Sequence, residues 1–290
     1  MTTFETPQPI FVTVELGVGE IRIQATDRTD TVVEVRPTNS SSKSDVTAAQ
    51  QTRIEYAGDH LLIKAPKGWR SHAFWGRDES IDVDIEVPSG SHLKGDAAVA
   101  TLRSTGRLGD CTFSTSAGDI HIAQSGAVRL KTSVGDINVE QCDCEADVAT
   151  SSGAVRIESI DGTAVVKNSN GNTWIGDVAG DLLSASANGN IVVDRARAGV
   201  VAKSANGDVR LGEVARGAIV AETARGRVEI GVADGVAAWL DLKTQFGRVA
   251  NNLDAATQPE AGEDTVEVRA RTAFGDITIN RSLARGTKTA

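Results

Sequence analysis

The sequence is short of aromatic residues: Phe, Trp and Tyr make up 4% of its 290 residues, although 40% are hydrophobic. A core for a chain of this length must then come from Val, Ile, Leu and Ala, which suits small stacked layers better than a bulky globular interior. Basic residues are outnumbered, 30 Lys and Arg against 39 Asp and Glu, for a net charge of -9. Nucleic-acid binding usually needs a basic face, so this balance argues against it. No run approaches the roughly 20 apolar residues of a membrane span. The start, "MTTFETPQPIFVTVELG", lacks the basic beginning and apolar centre of a secretory signal, so the cytoplasm is the expected location. Three cysteines, Cys111, Cys142 and Cys144, are too few and too clustered for a disulfide framework.

What the sequence does have is a recurring phrase. "TSAGDIHI" at Thr115 to Ile122 returns as "SANGDVRL" at Ser204 to Leu211 and as "TAFGDITI" at Thr272 to Ile279. Setting its glycine to zero gives a frame with origins at Gly118, Gly135, Gly153, Gly171, Gly189, Gly207, Gly226, Gly247 and Gly275, most often 18 residues apart and lengthening toward the end. Two and four residues after each origin stand apolar residues such as Ile137 and Val139 or Ile191 and Val193. Seven and five before it stand others such as Val128 and Leu130, and three before it a Ser, Thr or Asn. This period of two on both sides of a glycine predicts two short strands meeting at a corner. Positive φ suits glycine there, and the Asp or Asn that often follows can bond nearby backbone. The inward Ser/Thr column can bond between repeats or back to the corner.

Length variation falls between the second strand of one repeat and the first of the next, as in "LDAATQPEAGEDTVE" at Leu253 to Glu267. Stacked rungs tolerate loops at such an edge. The expected fold is all-β: a parallel β-solenoid (β-helix) of about nine 18-residue rungs over residues 89–280. Residues 1–88 form an N-terminal β-strand cap, partly antiparallel, and 281–290 a disordered tail. "VTVELGVGEIRI" places Gly19 in the same frame, and a short helix is expected at Asp45 to Thr52.

Chemistry-bearing residues are weighed against this frame. Cys111 and Cys142 fall in inward columns and Cys144 at a corner, so "CDC" reads as structural, since zinc needs about four ligands and no cluster completes them. Asp119, Asp136, Asp208 and Asp276 follow corner glycines and raise calcium, but each rung offers one acid where calcium β-rolls offer several. No nucleophile motif, phosphate loop or gathered carboxylates point to catalysis, so no enzyme activity, cofactor or metal is expected. The outward position six before glycine is apolar in four consecutive rungs, Val165, Leu183, Val201 and Val220. With Trp174 and Val192 on neighbouring outward positions, this is either a binding or dimer patch or a surface covered by the N-terminal strands or a loop. "PKGWRSHAFWGRDES" carries Trp69, Phe74 and Trp75 beside basic residues. These rings either contact a partner or pack over an end of the solenoid.

The phrases "TSAGDIHI", "TSVGDINV", "TSSGAVRI" and "SANGDVRL" resemble the bacterial putative adhesin family, a β-strand-repeat family of unknown function, from about Ser89 to Ile279. That resemblance implies a β-solenoid and supplies no catalytic residues. The expected role is a non-enzymatic scaffold or interaction module, adhesin-like by resemblance, with an unidentified protein partner or self-association. A carbohydrate-binding or polysaccharide-cleaving β-helix is the alternative.

Overall fold

Alternating Val, Ile and Leu give each segment one apolar face, and segments with matching faces stack in register. The computed structural model describes residues 1–66, 79–254 and 264–282. The chain divides into two compact units, Met1–Gly153 and Ala154–Ala290. Trp69, Phe74 and Trp75 lie outside the described residues, as do residues 283–290 of the expected tail.

The first unit holds β1 (Thr2–Glu5), β2 (Phe11–Thr26), β3 (Asp30–Pro37), α1 (Lys43–Gln51), β4 (Arg53–Ala57), β5 (His60–Lys64) and β6 (Ser80–Pro88). It continues with β7 (His92–Arg107), β8 (Cys111–Ala117), β9 (Ile120–Ser125), β10 (Val128–Val134), β11 (Ile137–Cys142) and β12 (Ala146–Ser152). First strands β8, β10 and β12 pair in parallel, placing Phe113, Leu130 and Val148 in one line. Second strands β9 and β11 do the same, with Val139 opposite Ile122 and both at 0% exposure.

Two strands run through the corner without a break. β2 and β7 pair in parallel over most of their length, with Gly19 opposite Ala100. The β7 rung has alanine at its corner, so a search for corner glycines passes over it. Ala100 nonetheless stands 18 residues before Gly118. β2 also pairs in parallel with β5 and β6, so it lies between them and β7. β4 and β3 run antiparallel to β5 and β6, and β1 antiparallel to β3. α1 begins two residues before the expected start, where the Ser42 hydroxyl accepts from the Asp45 amide at 3.4 Å as its N-cap.

The second unit holds β13 (Val155–Ile160), β14 (Ala164–Asn170), β15 (Thr173–Val178), β16 (Leu182–Asn188), β17 (Ile191–Ala196), β18 (Val200–Asn206) and β19 (Val209–Val214). After these come β20 (Gly217–Arg225), β21 (Val228–Val232), β22 (Ala237–Phe246), β23 (Val249–Asn251), β24 (Thr265–Phe274) and β25 (Ile277–Arg281). Ile157, Ile175, Val193, Leu211, Ile230 and Ile279 form one interior file, each exposed by 1% or less. Stacking follows chain order as far as β20 and β21, and then it inverts. β24 and β25 pair with β20 and β21, while β22 and β23 pair on their far side. The rung made second to last is therefore the outermost. Arg281 and Ser282, expected in the tail, end this stack, with Arg281 Nη1 donating to the Ala233 and Val236 carbonyls.

A second bend lies in most of the second strands. Inward residues stand at two, four and then seven after the glycine, as in Ile137, Val139 and Cys142, and the register skips Glu140. Among the described residues, no helix is long and apolar enough to cross a membrane.

The corner itself is bonded from inside. At most corners the inward hydroxyl three before the glycine donates to the corner-glycine carbonyl of the adjacent rung: Thr132 to Gly118 at 3.2 Å, Ser204 to Gly189 at 3.1 Å and Thr223 to Gly207 at 2.9 Å. Ser186 makes no such bond, and Asn168 donates to the Gly171 carbonyl of its own corner at 3.0 Å. The inverted end keeps the rule, with Thr272 donating to Gly226 and Thr244 to Gly275.

At Gly207 two constraints coincide: φ is +152°, and an added Cβ would lie 2.1 Å from the Gly189 carbonyl oxygen. Gly58, with φ +67° in the turn between β4 and β5, has open space where its Cβ would go. Denaturant unfolding of Gly207→Val is expected to show a loss of about 2–5 kcal/mol. Gly58→Ala should lose only about 1–2 kcal/mol. Equal losses would mean that rung spacing does not select the corner glycine.

Candidate functional site

A solenoid strand turns every second side chain outward, so whatever the protein presents is written in the outward columns. In the Ala154–Ala290 unit the first strands carry the most distinctive one. Val165 stands opposite Leu183, Leu183 opposite Val201 and Val201 opposite Val220. This is an unbroken apolar ladder on four adjacent strands. Leu183 is 41% exposed and the three valines are half-buried. Neighbouring rungs in a sheet lie about 4.8 Å apart, so each valine is partly shielded by the next. Beyond Val220 the column turns charged, with Arg269 and then Asp241.

Beside the ladder, β16, β18 and β20 together with β24 and β22 form an open groove of about 700 Å³, with Ala205, Ala224 and Ala273 among its lining residues. Small side chains leave the depression, and longer ones border it: Lys203, Glu222, Lys243, Gln245 and Arg271. Three cations against one acid make the groove locally positive on an acidic chain. Lys203 is partly neutralised by Glu222 at 2.9 Å. Arg271 pairs with Asp241 at 3.4 Å.

Along the corner edge of these strands runs an amide ladder, Asn188 donating to Asn170 at 2.8 Å and Asn206 to Asn188 at 2.9 Å. Arg225, Phe274 and Phe246 continue the line in register. The two phenyl rings stack with centroids 4.9 Å apart and an interplanar angle of 9°.

Trp174 and Val192 are neighbours in register, but on β15 and β17, across the corner from the ladder. The Arg156 guanidinium lies 3.9 Å from the Trp174 ring centroid, a cation–π contact that covers one ring face. The six-residue patch expected from sequence is thus two separate ladders on two sets of strands. The groove and the amide ladder went unremarked in the sequence. The alternation Ser169, Ala187, Ala205, Ala224, Ala273 two before the glycine was the available signal for the groove.

The acidic and amide residues after the corner glycines are occupied with the backbone. Asp119 accepts from the Asp136 amide at 2.9 Å, Asn190 from the Asp208 amide and Asp208 from the Arg227 amide, both at 2.8 Å. They tie one corner to the next, as the turn reading expects. Among the described residues, no group of three or more His, Cys, Asp or Glu side chains is placed to hold a metal ion. His92 Nδ1 accepts from the Asp110 amide at 2.9 Å, and its ring stacks on Phe11.

The three cysteines are free thiols. Cys111 is buried, which pushes its pKa up to about 12, because the thiolate would lose its hydration. Burial also raises the pKa of Cys142, whose Sγ donates to the Gly126 carbonyl at 3.2 Å. Cys144 is exposed.

Residues 10–280 match the model of the Toastrack DUF4097 family. No protein of curated function matches the chain in sequence. Among solved structures, the chain is similar to a putative adhesin from Parabacteroides merdae, with 11% identity over 96% of this chain and 95% of that chain, at a TM-score of 0.41. It is also similar to a putative adhesin from Parabacteroides distasonis, with 14% identity over 96% and 95%, at 0.37. A putative cell adhesion protein from Clostridium sporogenes is similar at 11% identity over 97% and 98%, with a TM-score of 0.29.

The thiol environments give a direct check on which columns face inward. At pH 8, iodoacetamide is expected to modify Cys144 in the native protein and to reach Cys111 and Cys142 only after unfolding, since thiolates and not thiols react. Mass spectrometry of native labelling that found Cys111 modified would place the seven-before column outside.

Proposed function

The chain belongs to the Toastrack DUF4097 family, and on that footing we propose that it is a non-enzymatic scaffold, a rigid β-solenoid module that presents fixed side-chain ladders to a protein partner. The observation that carries this reading is the ladder Val165, Leu183, Val201 and Val220 on four paired strands. Apolar side chains held in register need little further ordering on binding, so less of the contact energy is lost to entropy. Leu183 stands furthest into solvent and is the expected anchor, with the neighbouring valines excluding water around it. The adjoining groove adds cations that favour an acidic or amide-rich segment of the partner.

The non-enzymatic part of the proposal draws support from the occupation of the corner carboxylates and amides by backbone N–H groups. It draws further support from the burial of Cys111 and Cys142, which keeps both as thiols. An adhesin-like role is one form of this scaffold reading, in which the partner is a surface component.

The double variant Leu183→Asp, Val201→Asp tests the ladder. Both side chains point outward, so the thermal midpoint is expected to fall by only a few degrees. Proteins retained by the wild-type chain in affinity capture from its native cell should be lost. Retention of the same set by the double variant would remove the ladder as the contact surface.

A further inference from the structure

The outermost rung of the second unit leaves its inside open. Val249 is 46% exposed, whereas Val228 and Ile277, at the same position in the two rungs beneath, are at 0%. Leu240 and Leu242 of β22 are half-exposed, while Val268 and Ala270 beside them on β24 are at 0%. Trp239 projects outward from the same strand at 70% exposure. Among the described residues β22 pairs with β24 alone, so its other edge offers unpaired backbone groups next to open apolar core. Such an edge is a template for another strand.

The sequence of β22 says which strand fits. Its outward residues are Trp239, Asp241, Lys243 and Gln245, and its inward ones Leu240, Leu242 and Thr244. For a second copy to meet it across a two-fold axis, the strands must run antiparallel, and keeping inward residues with inward ones requires an axis through a residue. Centring on Asp241 sets Asp against Asp, and centring on Lys243 sets Lys against Lys. Centring on Leu242 sets Asp241 of each copy opposite Lys243 of the other, twice by symmetry, with Leu240 opposite Thr244. On its occupied side Lys243 has Arg271 as its register neighbour, a like charge, and among the described residues it has no ion-pair partner. An acid on the free side is what its surroundings lack.

We propose that β22 is a self-association edge: two copies of the chain join end to end through antiparallel β22 strands centred on Leu242, closing both open cores. This surface is separate from the Val165 to Val220 ladder and does not depend on it, although Lys243 also borders the groove beside the ladder.

Sedimentation velocity and native mass spectrometry of the full chain, over a range of concentrations, provide the test. Wild type is expected to populate a dimer. Lys243→Asp and Asp241→Lys each place like charges opposite one another at two symmetric positions. Either alone should weaken dimerisation about tenfold or more, since each pair moves from attraction to repulsion. Mixed in equal amounts, the two variants should form a heterodimer at close to wild-type strength, because each then meets its opposite. Circular dichroism melts of each variant separate loss of pairing from loss of fold, and the mixture recovers pairing only if both remain folded. The Leu183→Asp, Val201→Asp variant should dimerise as wild type does. A chain that stays monomeric at every concentration, or a dimer indifferent to both charge changes, would overturn the proposal. So would cross-links joining β22 to residues 255–263 or 283–290 of the same chain in place of the other copy.

Discussion

The hydrogen bond from an inward Thr or Ser hydroxyl to the corner carbonyl of the adjacent rung is the constraint on which the rest of the architecture depends. It forms only when rungs are stacked in register, as Thr223 on Gly207 and Thr272 on Gly226. The corner glycine makes it possible by bringing its backbone closer to the neighbouring rung than any side chain would allow. The outer side of the corner is held as well, by the Asp or Asn side chain that accepts the next rung's amide. With the corner pinned on both sides, the strands flanking it are fixed in position, and their outward residues become straight columns.

Those columns explain why chemically able residues change from rung to rung while the phrase persists. Inward positions answer to stacking and are filled almost throughout by apolar or hydroxyl side chains, with Phe113 the largest and Asn168 an amide among them. Outward positions are less constrained by stacking, which is why Thr112, Arg129 and Asp147 share a column in the first unit and Val165, Leu183, Val201 and Val220 share the equivalent one in the second. An apolar stretch at positions that stacking does not require to be apolar is the basis for placing recognition there.

Much of this was legible in the sequence. Period-two columns, the glycine corner and the inward hydroxyl were all visible, because each depends on residue type at a fixed spacing. Three things were not. Stacking order is set by which strand finds which, so the places of β2 and of β24 between neighbours distant in sequence left no mark in the spacing. The alanine corner of β7 broke the search pattern while keeping the period. The division of the apolar patch into two ladders follows from the corner lying between Val165 and Trp174, since outward residues on its two sides project from different strand sets. Local rules describe one rung well and say little about the order in which rungs are assembled.

The inverted order at the end of the second unit bears on how the protein can be made. A ribosome delivers β22 before β24, yet among the described residues β22 pairs with β24 alone. Vectorial synthesis therefore cannot finish this stack one layer at a time. The outermost layer has to wait until β24 and β25 have emerged and settled beneath it. The stack is completed by β24 and β25, and a nascent chain interrupted before them would have no site on which to lodge the layer it had already made.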